Sequence, residues 1–490
     1  MPGGMQGHGH NVARSILRNS AALFVVGLFS KAMGLVLAVL VARFLGPDAM
    51  GLFAVLFSVT LLTENIAALG LQDLLLREVA AHPDRRRGLW RQGARLAAAS
   101  GLVFCVGFLA AAWLEGDNES LRRSLIAIAL GIPLATVFGV SQAVMQGMEE
   151  VLHLVWMTFL TRIVSLLWLT WALFQGAGVE AAFYSRVMFL LLAVALFLVV
   201  ILRKSPSEEA APAGRLLRRA LPLAANRGLA ELSNRAPVLL MPALLGLHAT
   251  GLFDAADRFR QTLTMAISVG ITSVMPSFAR SFQQADDSRE ALVGHTVKYT
   301  VLLIGLVAVA LCVLAEPLIL LLYGARFRDS ILPMQVLVWA QVAISADAML
   351  KQAMVAGHHE HVVPKIALLG TIVLAGLVIA LALKLGTLGV AVAVVAGAVF
   401  TMVADLLYTN RHVVHIDVFE SIGKPAICLG ATAAMLFLLQ DASLWQRAAV
   451  ALLTLAVTGA LTRVLPQSER SFLWNLVTKS RAGRANIGTG

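Results

Sequence analysis

The chain is written as long apolar runs broken by short polar stretches, and the runs are too long for the core of a soluble domain. A helix needs about 20 mostly apolar residues to cross a bilayer, and by that measure about fourteen spans follow one another. Six centre near residues 20–44, 51–72, 95–114, 123–146, 151–173 and 179–202. Six more centre near 219–246, 250–276, 296–323, 330–355, 362–385 and 387–409, and two near 421–440 and 444–464. The pattern predicts an all-α polytopic membrane protein.

The spans repeat. ARFLGPDAMGLFAV in the first half matches PALLGLHATGLFDA in the second, with Gly46 and Gly246, Gly51 and Gly251, and Phe53 and Phe253 each 200 positions apart. QAVMQG at Gln142–Gly147 matches QAMVAG at Gln352–Gly357, and Gly178 and Phe189 match Gly389 and Phe400. Matches in one order with a slowly drifting offset imply two pseudo-symmetric six-helix lobes that run parallel through the membrane, a plan known among transporters. The expected organisation is a tail at 1–18, an N-lobe at 19–202, a linker at 203–218 and a C-lobe at 219–411. Two further helices at 412–465 and a tail at 466–490 complete it. The linker, which opens with RKSPSEEAAPAGR at Arg203–Arg215, has the proline, serine and charge content of a flexible connector.

Loop charge orients the spans. Arg77, Arg85, Arg86, Arg87, Arg91 and Arg95, then Arg203, Lys204, Arg215, Arg218 and Arg219, fall in one set of loops. Arg280, Arg289, Arg411, Lys424, Lys479, Arg481 and Arg484 extend that set, while the alternate loops are short and poor in basic residues. The positive-inside rule puts the basic set and both termini in the cytoplasm. Arg326 and Arg328, on the expected outer side, break the rule.

Composition agrees with the pattern: of 490 residues, 59% are hydrophobic and only 14% charged, against about a quarter charged in a soluble domain. The net charge of +11 does not point to nucleic acid, because the basic residues sit in loop clusters without interleaved aromatics. Cys105, Cys312 and Cys428 lie inside apolar runs and read as packing residues. His358, His359 and His361 flank Glu360 in a loop, with no second cluster to complete a metal site.

Charges inside the spans carry the candidate chemistry, because each costs a few kcal/mol at membrane depth and therefore faces a bundle interior or a watery cavity. The basic ones are Lys31, Arg162, Arg186, Arg227, Arg235 and Lys351; the acidic ones are Glu64, Glu231 and Asp347. Arg227, Glu231 and Arg235 recur every four residues and share one helical face. Six cations against three acids leave a positive interior, suited to a small, multiply charged anion such as pyrophosphate. The bland reading of each pair is internal neutralisation, with Lys31 held by Glu64 or Lys351 by Asp347. Glu64, Glu231 and Asp347 are also the candidate acceptors of H+ or Na+ should transport be ion-coupled. An exporter of cationic drugs would show the opposite charge balance. No phosphate-binding loop, nucleophile elbow or paired-carboxylate spacing appears, so an enzyme and its cofactor are not expected.

Several stretches in order, ARFLGPDAMGLFAV, ALGLQDLLLREVA, LGLHATGLFDAADRF, VMPSFARSF and LILLLYGARFRDSILPMQVLVWA, carry a family likeness. The chain resembles the polysaccharide (oligosaccharide) flippases, the Wzx-like, O-antigen branch of the multidrug/oligosaccharidyl-lipid/polysaccharide exporter superfamily. The resemblance implies a V-shaped pair of lobes that turns over an undecaprenyl-pyrophosphate-linked oligosaccharide by alternating access, for polysaccharide or lipopolysaccharide assembly. It implies residence in the cytoplasmic membrane, contact with membrane lipid, polysaccharide polymerase or assembly proteins as partners, and a lipid-facing groove formed by the last two helices. Within the superfamily, a cation-coupled multidrug exporter and a lipid II flippase are the alternatives.

Overall fold

The computed structural model describes residues 5–116, 118–148, 151–203, 213–284, 288–439 and 442–462. Most of the expected linker (204–212) and the whole expected tail at 466–490 lie outside the described residues. Every regular element described is helical. In chain order these are α1 (Met5–Ala67), α2 (Leu71–Ala81), α3 (Arg86–Leu114), α4 (Glu119–Gly147), α5 (Val151–Phe174) and α6 (Glu180–Arg203). They continue with α7 (Ala213–Gln284), α8 (Ser288–Leu322), α9 (Ile331–Ala356), α10 (Val363–His412), α11 (Lys424–Leu438) and α12 (Leu444–Leu461).

Among the described residues, eleven continuous helical stretches are long and apolar enough to cross a membrane, against the fourteen spans expected. The difference lies in three helices that each contain a glycine with non-helical backbone: Gly46 in α1, Gly246 in α7 and Gly386 in α10. At each the chain folds back. Ser30 and Leu61 would be ~46 Å apart on a straight helix, yet both line one cavity. On α10, a Cβ at Gly397 would touch Leu374, which a straight helix would place ~35 Å away. Where a sequence reading counts two spans, the structure holds two helical arms joined at one non-helical glycine.

The chain divides into two compact units. The first comprises residues 1–269, 318–337 and 364–397; the second comprises 270–317, 338–363 and 398–490. In the first, a core of Leu71, Leu75, Trp90, Val140, Val144, Phe189 and Phe197 joins α2, α3, α4 and α6. The Trp90 indole donates to the Ser141 hydroxyl at 3.0 Å, so its N–H is satisfied within that apolar setting. The helix α2 was expected as loop; it is an amphipathic helix with Leu71, Leu74, Leu75 and Val79 buried. Asn118 caps α4, its side chain accepting from the Leu121 amide at 3.1 Å.

The repeat is visible in the backbone. Gly46 (φ 84°, ψ −175°) and Gly246 (φ 83°, ψ 176°) adopt the same conformation, one that side-chain-bearing residues rarely reach. Just beyond them Gly51 and Gly251 meet. A Cβ on Gly51 would overlap the Leu247 carbonyl, and one on Gly251 would overlap the Pro47 carbonyl. Asp48 and His248, also 200 positions apart, face each other at 3.2 Å. Close by, the Arg43 guanidinium donates to the carbonyls of Leu321 and Leu322, capping the end of α8. Arg326, one of the two arginines that break the loop-charge pattern, brings its guanidinium beside Gly46.

In the second unit α11 and α12 pack together, with Cys428 accepting from the Thr458 hydroxyl at 3.1 Å. Arg447 of α12 is buried and donates to the Cys312 carbonyl at 2.9 Å. Large apolar side chains such as Trp113, Leu321, Leu383 and Trp445 are left exposed, as a surface bathed by lipid requires.

Candidate functional site

The first unit contains a cavity of about 220 Å³. Both arms of α1 contribute to it, Ser30, Lys31 and Gly34 from one and Phe53, Phe57 and Leu61 from the other. Arg162 and Ser165 come from α5, Ser185, Arg186 and Phe189 from α6, and Arg235, Arg258 and Gln261 from the two arms of α7. The Ser185 hydroxyl donates to the Ser165 carbonyl at 2.7 Å and so ties α5 to α6 at the level of their arginines.

Five cations line this space: Lys31, Arg162, Arg186, Arg235 and Arg258. Among the described residues no carboxylate does. Three of the cations have a counter-charge behind the wall. Arg186 pairs with Glu64 at 2.5 Å, Arg235 with Glu231 at 2.8 Å, and Arg258 with Asp254 at 2.7 Å. Lys31 and Arg162 have no ion pair among the described residues, so the set carries a surplus of two positive charges.

Aromatic rings hold three of the guanidinium groups. Arg162 lies 4.0 Å from the Phe189 ring centroid, Arg186 5.4 Å from Phe57, and Arg258 5.5 Å from Phe53. A ring face attracts a cation by about 0.5–2 kcal/mol without neutralising it. The arginines are thus oriented while their charge stays available. Arg162 Nε and Arg186 Nε are buried with no hydrogen-bond partner, so donor capacity is left over. The volume equals that of roughly seven waters, below the ~300 Å³ of a typical drug-sized pocket. In this state the space suits a small polyanionic group.

The structure gathers four of the six cations expected from sequence, Lys31, Arg162, Arg186 and Arg235, and places two elsewhere. Arg227 reaches out of the cavity to α2, donating to Gln72 at 2.6 Å and to Asp73 at 2.8 Å. Arg219 pairs with Glu78 at 2.6 Å on the same helix, so both belong to a strap between α2 and α7. Lys351 lies in the second unit, 2.5 Å from Asp347 and 3.5 Å from Asp405. Of the expected acids, Glu64 and Glu231 stand directly behind the cavity wall, and Asp347 belongs to the second unit. Arg258 is a further cation of the site: in the sequence it stands among Asp254, Asp257 and Arg260, two acids and two bases in all, and only the fold shows that it faces the cavity.

Residues 40–332 match the family described as polysaccharide biosynthesis protein. The chain belongs to that family. Its fold is shared with solved transporters. An inward closed conformation of the lipid II flippase MurJ aligns with a TM-score of 0.71 over 90% of this chain and 98% of that one, at 12% identity. An inward-facing multidrug resistance MATE family transporter of the MOP superfamily aligns at 0.65 over 81% of this chain and 97% of the other, at 15% identity. A MOP superfamily transporter from Pyrococcus furiosus, described by a reverse polarity of its binding pocket that suggests a different function, aligns at 0.62. It covers 81% of this chain and 95% of its own, at 15% identity. Comparison of the sequence with curated proteins gives no match.

Proposed function

We propose that this family member is a flippase that moves a polyprenyl-pyrophosphate-linked oligosaccharide across the cytoplasmic membrane by alternating access, supplying polysaccharide assembly. The observation that carries the reading is the cavity, lined among the described residues by five cations and no carboxylate, two of the cations having no ion pair among those residues. A pyrophosphate is the small polyanion that such a lining favours, and arginine forks match its oxygens. The lipid tail stays in the bilayer while the headgroup passes through the protein. Both termini and the basic loops lie in the cytoplasm. The protein is a transporter and not an enzyme, its substrate is a membrane lipid with a glycan headgroup, and polymerase or assembly proteins take the product.

The cavity sign argues against export of cationic drugs. Lipid II flipping is the second reading, favoured by the near-complete overlap with a lipid II flippase fold. The cavity does not separate the two, since both substrates present a polyprenyl pyrophosphate.

The test is reconstitution in liposomes with fluorescent polyprenyl-pyrophosphate sugars, one of them lipid II, followed by protection from an impermeant quencher. Wild type should translocate at least one, and an Arg162→Met/Lys31→Met protein of normal fold should not. Equal translocation by both proteins would remove the cavity from the mechanism. Translocation of lipid II alone would decide for the second reading.

A further inference from the structure

The second unit contains a cavity of its own, of about 630 Å³, between the first turns of α8 and the stretch that joins α10 to α11. One face of α8 supplies Glu290, Gly294 and Lys298, spaced four apart. Asn410, Asp417 and Glu420 come from the joining stretch and its ends. A Cβ on Gly294 would lie 2.9 Å from the Ser421 hydroxyl, so a glycine there lets the two walls approach. Glu420 and Ser421 sit on a wide turn, Phe419–Gly423, in which the Lys424 amide donates to the Phe419 carbonyl five residues back. Such π-helical turns are rare and recur at functional sites.

The charge of this cavity is unlike that of the first. Three carboxylates and one ammonium line it, in a chain whose net charge is +11. Lys298 is 1% exposed and donates to Glu420 at 3.4 Å, and Lys424 pairs with the same carboxylate. Glu290 and Asp417 are exposed and have no ion pair among the described residues. Asp417 Oδ1 accepts from the Glu420 amide at 3.0 Å, which fixes the carboxylate in place without neutralising it. A simple anion entering this space meets two open carboxylates, and a simple cation meets a buried ammonium. A ligand that carries both signs answers both.

The position says which kind of zwitterion. Three candidate spans begin or end here, that of α8 at Arg289, that of α10 at His412 and that of α11 at Phe419, so the cavity lies at headgroup depth. Val418 and Phe419, which also line it, are 40% and 61% exposed. We propose that the cavity holds the headgroup of a resident aminophospholipid, a membrane lipid with a phosphate and a primary ammonium. The phosphate meets Lys298, the ammonium meets Glu290 and Asp417, and the glycerol end lies on Val418 and Phe419. The order along α8 agrees. Lys298 is ~12 Å further into the span than Glu290, and its side chain leans back toward the start of the helix. In such a lipid the ammonium likewise stands beyond the phosphate, away from the acyl chains. The assignment does not depend on the identity of the transported lipid.

The test needs no transport substrate. Full-length protein in detergent is titrated with phosphatidylethanolamine, phosphatidylcholine and phosphatidylglycerol, and native mass spectrometry gives an apparent Kd for each. Wild type, Glu290→Gln, Glu290→Gln/Asp417→Asn and, as a control, Glu119→Gln are compared. Phosphatidylethanolamine should bind the double variant about tenfold more weakly than wild type, the loss of one hydrogen bond to a charged group. Glu290→Gln should show a smaller loss and the control none. Phosphatidylglycerol, which has no ammonium, should bind the variants no more weakly than wild type. Phosphatidylcholine, whose ammonium has no N–H to donate, should not distinguish wild type from the double variant. Unchanged phosphatidylethanolamine affinity in the double variant, or equal losses for all three lipids, would overturn the proposal. Asparagine at 417 still accepts from the Glu420 amide, Glu290 is exposed, and circular dichroism identifies any variant that fails to fold.

Discussion

Replacing Glu64 with glutamine separates a structural from an electrostatic role for the cavity wall. Glu64 holds Arg186 at 2.5 Å, and both side chains are largely buried. An anion engaged by the opposite edge of Arg186 would lie ~8 Å from the Glu64 carboxylate. At an effective dielectric constant near 20, the repulsion per unit charge is ~2 kcal/mol. Removing it should tighten inorganic pyrophosphate binding about 30-fold for one unit of phosphate charge. Stability should move the other way. Breaking a buried pair costs ~3–5 kcal/mol, and the glutamine carbonyl, still able to accept from Arg186, brings the loss below that range. Titration calorimetry of purified protein at low salt, with pyrophosphate as ligand, measures the first effect, and thermal unfolding the second. Lower stability with tighter binding is the expected signature. A folded variant that binds pyrophosphate no better than wild type would refute the idea that these cations present a shared field to an anion.

Four other outcomes follow from the same geometry. Arg162→Met or Lys31→Met should weaken pyrophosphate binding by about 10- to 150-fold, the worth of a hydrogen bond to a charged group, in the same calorimetric assay. Arg227→Met, whose partners are Gln72 and Asp73, should leave that affinity within about twofold while lowering Tm. An Asp48→Cys/His248→Cys protein should cross-link readily, and adding Gly251→Val should abolish the cross-link on a denaturing gel, because any side chain at 251 meets the Pro47 carbonyl. Gly305→Ala should cost about 1–3 kcal/mol by overpacking against Leu429, with Leu429→Ala on the same chain restoring part of the loss in thermal unfolding.

Apolar run length was enough to show an all-helical membrane protein, because nothing else accounts for so many uninterrupted stretches. The count exceeded the number of continuous helical stretches because Gly46, Gly246 and Gly386 each join two helical arms through a single residue of non-helical backbone. Helix α2 escaped notice beside the longer runs, although Leu71, Leu74, Leu75 and Val79 already had helical spacing. For the site, residue type was legible and partner choice was not. Spacing put Arg227 and Arg235 on one face, yet they lie two turns apart and meet different neighbours, α2 for one and the cavity for the other. Asp405 was hidden in the same way. A single acid in an apolar run gains meaning only when Lys351 and Asp347, more than fifty positions away, are brought beside it.

The meeting of Gly51 with Gly251 has a reciprocal form: residues 47 and 51 touch 251 and 247, and 48 faces 248. That reciprocity defines a two-fold interface between identical subunits, where each copy offers the other the same patch. Here both patches belong to one polypeptide, so their pairing is intramolecular and independent of protein concentration, with a local concentration that tethering raises to the millimolar range. The two patches are also free to differ, as Pro47 and Leu247 already do, because covalent linkage removes the requirement that a change on one side be copied on the other. An internal dimer of this kind can keep a symmetric contact at the glycines while placing an asymmetric set of charges around it.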